Sequence, residues 1–243
     1  MQSRMMLSRL VLGPVAVLLI VSVQGTVRAA SVTVTNLNDS GAGSLRQAIA
    51  DASAGDTITF GVTGTIVLTS GRLTITKALT IAGPGAASLT ISGNNTSTVF
   101  GVFTATVAIS DVTITGGNTS SGQGGGIENQ TTLSLTDSVV TGNNARLGGG
   151  IFNSGTLTLT RSTVSGNTDT QQGAGFYING GTTSLTDSTV SGNASISLGG
   201  GFYISSGTVN LTRSTVSGNT GTRGGGLENR GTVNLTNSTV TGN

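Results

Sequence analysis

The stretch "RLGGGIFNSGTLTLTRSTVSGN", Arg146 to Asn167, decides the fold. Near copies follow at once, closing on Gly192-Asn193, Gly218-Asn219 and Gly242-Asn243. The Gly-Asn landmark falls at Asn118, Asn143, Asn167, Asn193, Asn219 and Asn243, with spacings of 25, 24, 26, 26 and 24 residues. A Gly-Gly-Gly landmark starts at Gly124, Gly148, Gly199 and Gly224, with Gly173-Ala174-Gly175 as its variant. A fixed period of this size is the signature of a solenoid. Leucine-rich repeats would show an Asn or Cys flanked by leucines and a helical half, and calcium-binding nonapeptides would show an Asp after their glycines. Neither pattern is present. Each unit instead holds three short alternating segments, such as Gly150–Asn153, Thr156–Thr160 and Ser162–Ser165. Three strands in about 25 residues make one coil of a parallel β-helix, with coils stacked about 4.8 Å apart. The fold class is therefore all-β.

Strand alternation assigns the faces. Ile151, Leu157, Leu159 and Val164 point inward, and their equivalents one coil later are Phe176, Thr183, Leu185 and Val190. Four inward aliphatic side chains stabilise by roughly 6–12 kcal/mol. Fixing the residues of one coil costs more, at about 1–2 kcal/mol each. A single coil therefore cannot fold alone, and stacking supplies the difference. The Asn of Gly-Asn recurs at a bend and reads as an inward ladder of amides bonded from coil to coil.

Residues 30–60 differ from the rest and read as an N-terminal cap of strand, helix and strand. Val32 and Val34 alternate. Ser44 can cap a short helix with Leu45, Ala48, Ile49 and Ala52 on one face, and Gly55 ends it. Ile58 and Phe60 begin the next strand, and the coils occupy residues 61–243. No comparable cap follows the last coil, so the chain reads as cut short at Asn243; the other expectation is an edge that pairs with another chain.

Composition sets further limits. Gly numbers 40 and charged residues are only 8%, a balance that could suggest disorder. The regularly spaced Ile, Leu and Val oppose that reading. Arg4 and Arg9 precede an apolar run from Leu10 to Val23, and Val27 and Ala29 satisfy the small-x-small rule for cleavage after Ala29. Residues 1–29 thus read as a secretory signal peptide. The run is short for a membrane anchor, which needs roughly 20 residues. Removing it takes away Arg4, Arg9 and Arg28 and no acid, so the formal net charge of +2 becomes −1. No basic face is left for nucleic acid. The expected location is extracellular or the outer cell surface, with membrane attachment only through the signal peptide or an anchor outside this chain.

Two motifs carry a resemblance. "NDSGAGSLRQAIADASAGDTITF" resembles the N-terminal segment of secreted bacterial surface proteins named for a CSLREA phrase; "GSLRQA" stands in its place and the Cys is absent. "VTGNNARLGGGI" and "VSGNTGTRGGGL" resemble the repeats of polymorphic outer membrane proteins, with Val where that motif has Phe. The resemblance implies a right-handed β-helix of the pectate-lyase-like superfamily, exported to the cell surface. That superfamily holds adhesins as well as polysaccharide lyases and hydrolases, so it implies no single activity.

Aligned coils produce columns of stacked residues. Asp111, Asp137, Arg161, Asp187, Arg213 and Asn237 form one. It reads as a charge ladder that fixes coil register. The alternative is catalysis by Asp137, Arg161 and Asp187, with the two carboxylates about 9.6 Å apart at the far limit for inverting glycosidases. Glu128, Phe152, Tyr177, Tyr203 and Glu228 form a second column that should face outward. Its aromatics read either as a stabilising ladder or as a binding strip for a glycan or a cell-surface protein. A third column, Thr132, Thr156, Thr182, Thr208 and Thr232, resembles the threonine faces of β-helical ice-binding proteins, though Thr is also a common exposed strand residue. The chain has no Cys and no His, so Ser-His and Cys-His pairs are excluded. No cofactor or metal is expected. The functional reading is an adhesin-like or structural rod, with a lyase or hydrolase of acidic polymers as the alternative and an ice-binding surface as a minor one.

Overall fold

A computed structural model describes residues 29–243. The expected leader lies outside the described residues except for Ala29. The chain winds through about eight turns of about 26 residues as a parallel β-solenoid. One sheet has eight strands, running from Gly64–Val67 through Thr163–Ser165 to Thr239–Thr241. A second, of fourteen strands, takes two segments from most coils. Ser31–Val34, Thr57–Phe60, Leu79–Ala82, Thr106–Ser110, Thr132–Thr136 and Thr156–Thr160 stack on one of its faces. Leu73–Ile75, Phe100–Val102, Ile127–Asn129 and Ile151–Asn153 stack on the other. The two faces merge where Phe176–Thr186 and Phe202–Thr212 run through as single long strands.

The expected core is present. Ile151, Leu157, Leu159, Val164, Phe176, Thr183, Leu185 and Val190 are all fully buried. Thr183 sits among aliphatic residues because its hydroxyl receives the Asn153 Nδ2 at 3.0 Å, which satisfies a polar group that would otherwise be costly to bury. Phe176 and Phe202 stack inside the solenoid with centroids 4.6 Å apart.

The Asn ladder is also present. Asn143, Asn167, Asn193 and Asn219 each donate Nδ2 to the Oδ1 of the next coil's Asn, at 3.0, 2.9, 2.8 and 2.8 Å, ending on Asn243. The same Oδ1 also accepts the preceding Asn backbone N–H. One landmark is corrected. The ladder starts at Gly117, whose N–H bonds Asn143 Oδ1. Asn118 lies one residue further on and pairs with Asn144 instead. A glycine has no side-chain amide to show in a sequence column, so the misplaced register went unseen.

Two more polar ladders carry no obvious sequence signal. Ser162, Ser188, Ser214 and Ser238 each accept a backbone N–H from the serine one coil before, starting with Ser138. Asn129 donates to Asn153 Oδ1 at 2.6 Å inside the core. Serine is common throughout this chain, so its periodic burial is hidden by its abundance.

A further set of strands lies between the Gly-Asn bend and the glycine triplet. Asn118–Gln123, Asn144–Leu147, Thr168–Gln172 and Ala194–Ser195 form a four-stranded parallel sheet. Their sequences do not repeat, and the pairing register shifts within them. Backbone pairing between stacked coils needs no side-chain alternation, which is why the pattern hid it. The glycine triplet follows this sheet. Gly148 turns the chain at φ 68°, and a Cβ there would press on the Ile151 carbonyl.

The N-terminal segment is strand, helix and strand. Helix α1 spans Leu45–Asp51, and Ser44 caps it by accepting the Gln47 N–H. Leu45, Ala48, Ile49 and Ala52 are buried. The helix stops at Ala52, before Gly55. The flanking strands Ser31–Val34 and Thr57–Phe60 pair with each other and join the large sheet through Leu79–Ala82.

Candidate functional site

The column of alternating charge sits at a bend. Asp111, Asp137, Arg161, Asp187, Arg213 and Asn237 all take left-handed backbone, with φ between 47° and 59°. Asp and Asn tolerate this conformation; Arg does so less readily. The side chains resolve into discrete pairs. Arg161 donates Nε and Nη2 to the two oxygens of Asp137, at 2.8 and 2.6 Å. Arg213 grips Asp187 in the same way at 2.7 and 2.8 Å. Arg161 and Asp187 form no ion pair. The hydrogen bond from Arg161 holds the Asp137 carboxyl below the usual carboxylate range, and Arg213 does the same for Asp187. Both acids are exposed and fully ionised at neutral pH. An acid–base pair for glycoside cleavage needs one carboxyl raised, and neither is.

The aromatic column stacks as a ladder, but it is more buried than an outward column was expected to be. Phe152 and Tyr203 are each only 3% exposed, and Tyr177 is half-buried. The rings stack on one another: Phe152–Tyr177 at 5.4 Å and 11°, Tyr177–Tyr203 at 5.1 Å and 26°. Strand register puts Phe152, Tyr177 and Tyr203 directly above one another. Ring faces therefore meet other rings, and Arg230 covers Tyr203 at 5.6 Å from its centroid. A sugar ring has no free aromatic face to stack on within this column. The alternation rule placed these side chains outside the coil, but it does not show that the rings cover one another.

Glu128 and Glu228 close the two ends of the column by register. Arg72 pairs with Glu128 at 2.8 Å, and Gln130 donates to its other oxygen at 2.8 Å. Arg223 pairs with Glu228 at 2.7 Å. Thr132, Thr156, Thr182, Thr208 and Thr232 stack in register on the outer face, as expected. Among the described residues no three of Asp, Glu, His and Cys come together to hold a metal ion. No described helix is long and apolar enough to cross a membrane.

One cleft was not foreseen. A cleft of about 390 Å³ opens between α1 and the edge strand Leu73–Ile75, lined by Arg46, Arg72 and Lys77 among others. The sequence showed these residues only as scattered charges, because the helix that brings Arg46 to them lies a full coil away.

No family model matches the chain, and no curated protein matches it. A solved structure titled "Geobacillus virus E2 - ORF18" is similar over 86% of this chain and 60% of its own length, with 13% identity and a TM-score of 0.42. The chain thus spans less than two thirds of that structure.

Proposed function

We propose that the chain is an exported β-helix rod at the cell surface, with a structural or adhesin-like binding role. The leader-like N-terminus supports export. The quoted motifs support kinship with CSLREA-type and polymorphic outer membrane protein repeats, and so with the pectate-lyase-like superfamily. One observation carries the rod reading: successive coils from Asn143 to Asn243 are bolted together by the same buried amide bonds. A surface that must keep its shape at a distance from its anchor gains from such a ladder.

The binding aspect of the reading rests on the Phe152–Tyr177–Tyr203 column and its flanking Glu128 and Glu228. With ring faces covered and Phe152 and Tyr203 buried, contact falls to the half-buried Tyr177, the tyrosine hydroxyls and the carboxylates. That geometry favours a protein partner over a stacked glycan. Tyr177→Phe with Tyr203→Phe keeps the stack and removes both hydroxyls. Cell-surface binding should fall at least several-fold with this pair; unchanged binding would remove the column from the binding site.

The enzymatic alternative through Asp137, Arg161 and Asp187 has its own test. The chain without residues 1–29 is incubated with polygalacturonate, and unsaturated or reducing ends are measured. The rod reading expects none. Product formation that Asp137→Asn abolishes would replace it.

A further inference from the structure

The strand Leu73–Ile75 is the last of its face. In the coil before it, helix α1 stands where another strand would lie. Among the described residues the strand bonds on one side only. Leu73 N–H bonds the Val99 carbonyl at 2.9 Å, and the Ile75 carbonyl accepts from Phe103 N–H at 3.3 Å. Register pairs Thr74 with Gly101. In a parallel ladder alternate residues bond to opposite sides. The N–H and C=O of Thr74 therefore face away from Gly101, toward α1. Between them lies the cleft of about 390 Å³, lined by Arg46, Ile49, Arg72, Leu73, Thr74 and Lys77 among others. Its volume falls within the range of roughly 300–1,000 Å³ typical of ligand sites. Thr74 and Thr76 are exposed, so it is open to solvent.

The lining is cationic in a chain that otherwise is not. Arg46 has given four of its five N–H groups to Asp39, Gly71 and Arg72, so it mainly fixes the wall. Lys77 Nζ donates to the carbonyls of Ala50 and Ala52 at the end of α1, at 2.8 and 2.5 Å, and keeps one proton free. Arg72 uses one donor on Glu128 and lies over the Phe103 ring at 4.7 Å, with its remaining donors available. The lining residues include no carboxylate. An exposed edge residue beside unspent cationic donors is what an extended acidic chain requires. Strand addition supplies its backbone partners, and Arg72 and Lys77 meet its side chains.

We propose that this cleft is a docking site for an extended acidic peptide segment of a partner protein, added as a strand beside Leu73–Ile75. The proposal is independent of the aromatic column and of the rod reading. The probe is a short blocked peptide alternating Glu and Val, carrying a fluorophore and followed by anisotropy against the chain without residues 1–29. Saturable binding is expected. It should weaken at least tenfold when the peptide's central amide is N-methylated, and again with Arg72→Gln plus Lys77→Gln. Thr74→Pro should have the effect of N-methylation, because proline removes the free N–H. The matching Lys–Val peptide should not bind. Absence of saturable binding by the Glu–Val peptide overturns the proposal. So does binding that is indifferent to N-methylation, since ion pairing alone would then explain it. Retention of dextran sulfate without peptide binding would assign the cleft to polyanions and equally overturn it.

Discussion

Replacing Asp169 with Asn should make the protein more stable at neutral pH. Asp169 points into the solenoid from the strand Thr168–Gln172 and is 3% exposed. Ala145 lies in register with it on one side and Ser195 on the other. Ser195 Oγ donates to Oδ1 at 3.1 Å, while Oδ2 is buried with no partner among the described residues. Burial pushes the carboxyl up, and the Ser195 hydroxyl with the nearby Ile196 and Gln171 backbone N–H groups offsets only part of that, leaving it at about 6 instead of 3.8. At about 1.4 kcal/mol per pKa unit, a rise from 3.8 to about 6 penalises the folded charged form by roughly 3 kcal/mol. The sign follows from proton counting. Below about pH 4 the group is protonated in both states and no penalty exists. Between about pH 4 and 6 the unfolded chain loses the proton while the folded one keeps it, so stability falls as pH rises. Above about pH 6 the penalty is constant. Asn keeps an oxygen for Ser195 and carries no charge. Its midpoint at pH 7.5 should exceed that of the native chain by up to roughly 6–12 °C, at about 2–4 °C per kcal/mol for a chain of this size. The gain should vanish by about pH 4. Thermal unfolding of both proteins across this range is the assay. Equal midpoints at pH 7.5, or a gain that persists at pH 4, would refute the electrostatic reasoning.

Asn193→Ala removes both bonds that Asn193 Nδ2 donates, to Val164 O and Asn219 Oδ1, and the acceptor of two bonds from Asn167. With buried groups left unpaired at about 1–3 kcal/mol each, the loss should reach at least about 3 kcal/mol in denaturant titration. Arg161→Gly should leave stability unchanged or higher, because glycine accepts the φ of 47° there. Arg161→Val should lower it, since a β-branched residue resists that conformation, and the two melting curves separate backbone from ion-pair effects. Expression with the leader intact in a secreting host should yield a mature chain beginning at Ala30, read by mass spectrometry; a retained Met1 would contradict the signal-peptide reading.

Much of this architecture was legible because the coil repeats itself. Leu157, Leu159 and Val164 recur at fixed intervals, so alternation found the core, and the Gly-Asn period found its amide ladder. Ser44 and the spacing of Leu45, Ala48 and Ile49 were enough to find α1. What stayed hidden had no repeating side chain. The four-stranded sheet is built by backbone pairing over segments such as Asn144–Leu147 and Thr168–Gln172, whose sequences share little. The burial of Phe152, which stacks on Tyr177, is not something strand periodicity describes. The candidate sites were less legible still. Stacking brought Asp137 and Arg161 together as expected, but only coordinates show that Arg161 chooses Asp137 over Asp187. The cleft joins Arg46 to Arg72 and Lys77 across the helix that breaks the repeat.

The amide ladder also sets how the molecule would behave under load. Each coil interface from Asn143 onward carries the same set of inward bonds, and each is crossed once per turn. Tension along the axis would therefore open a single interface while leaving the next intact. A freed coil contributes only about 4.8 Å of height while folded. Fully drawn out, its 24 to 26 residues reach about 80–90 Å at roughly 3.3–3.6 Å per residue. The rod is in this sense a spool: it yields in equal steps and lengthens many-fold before it lets go, a sawtooth that single-molecule pulling would record coil by coil.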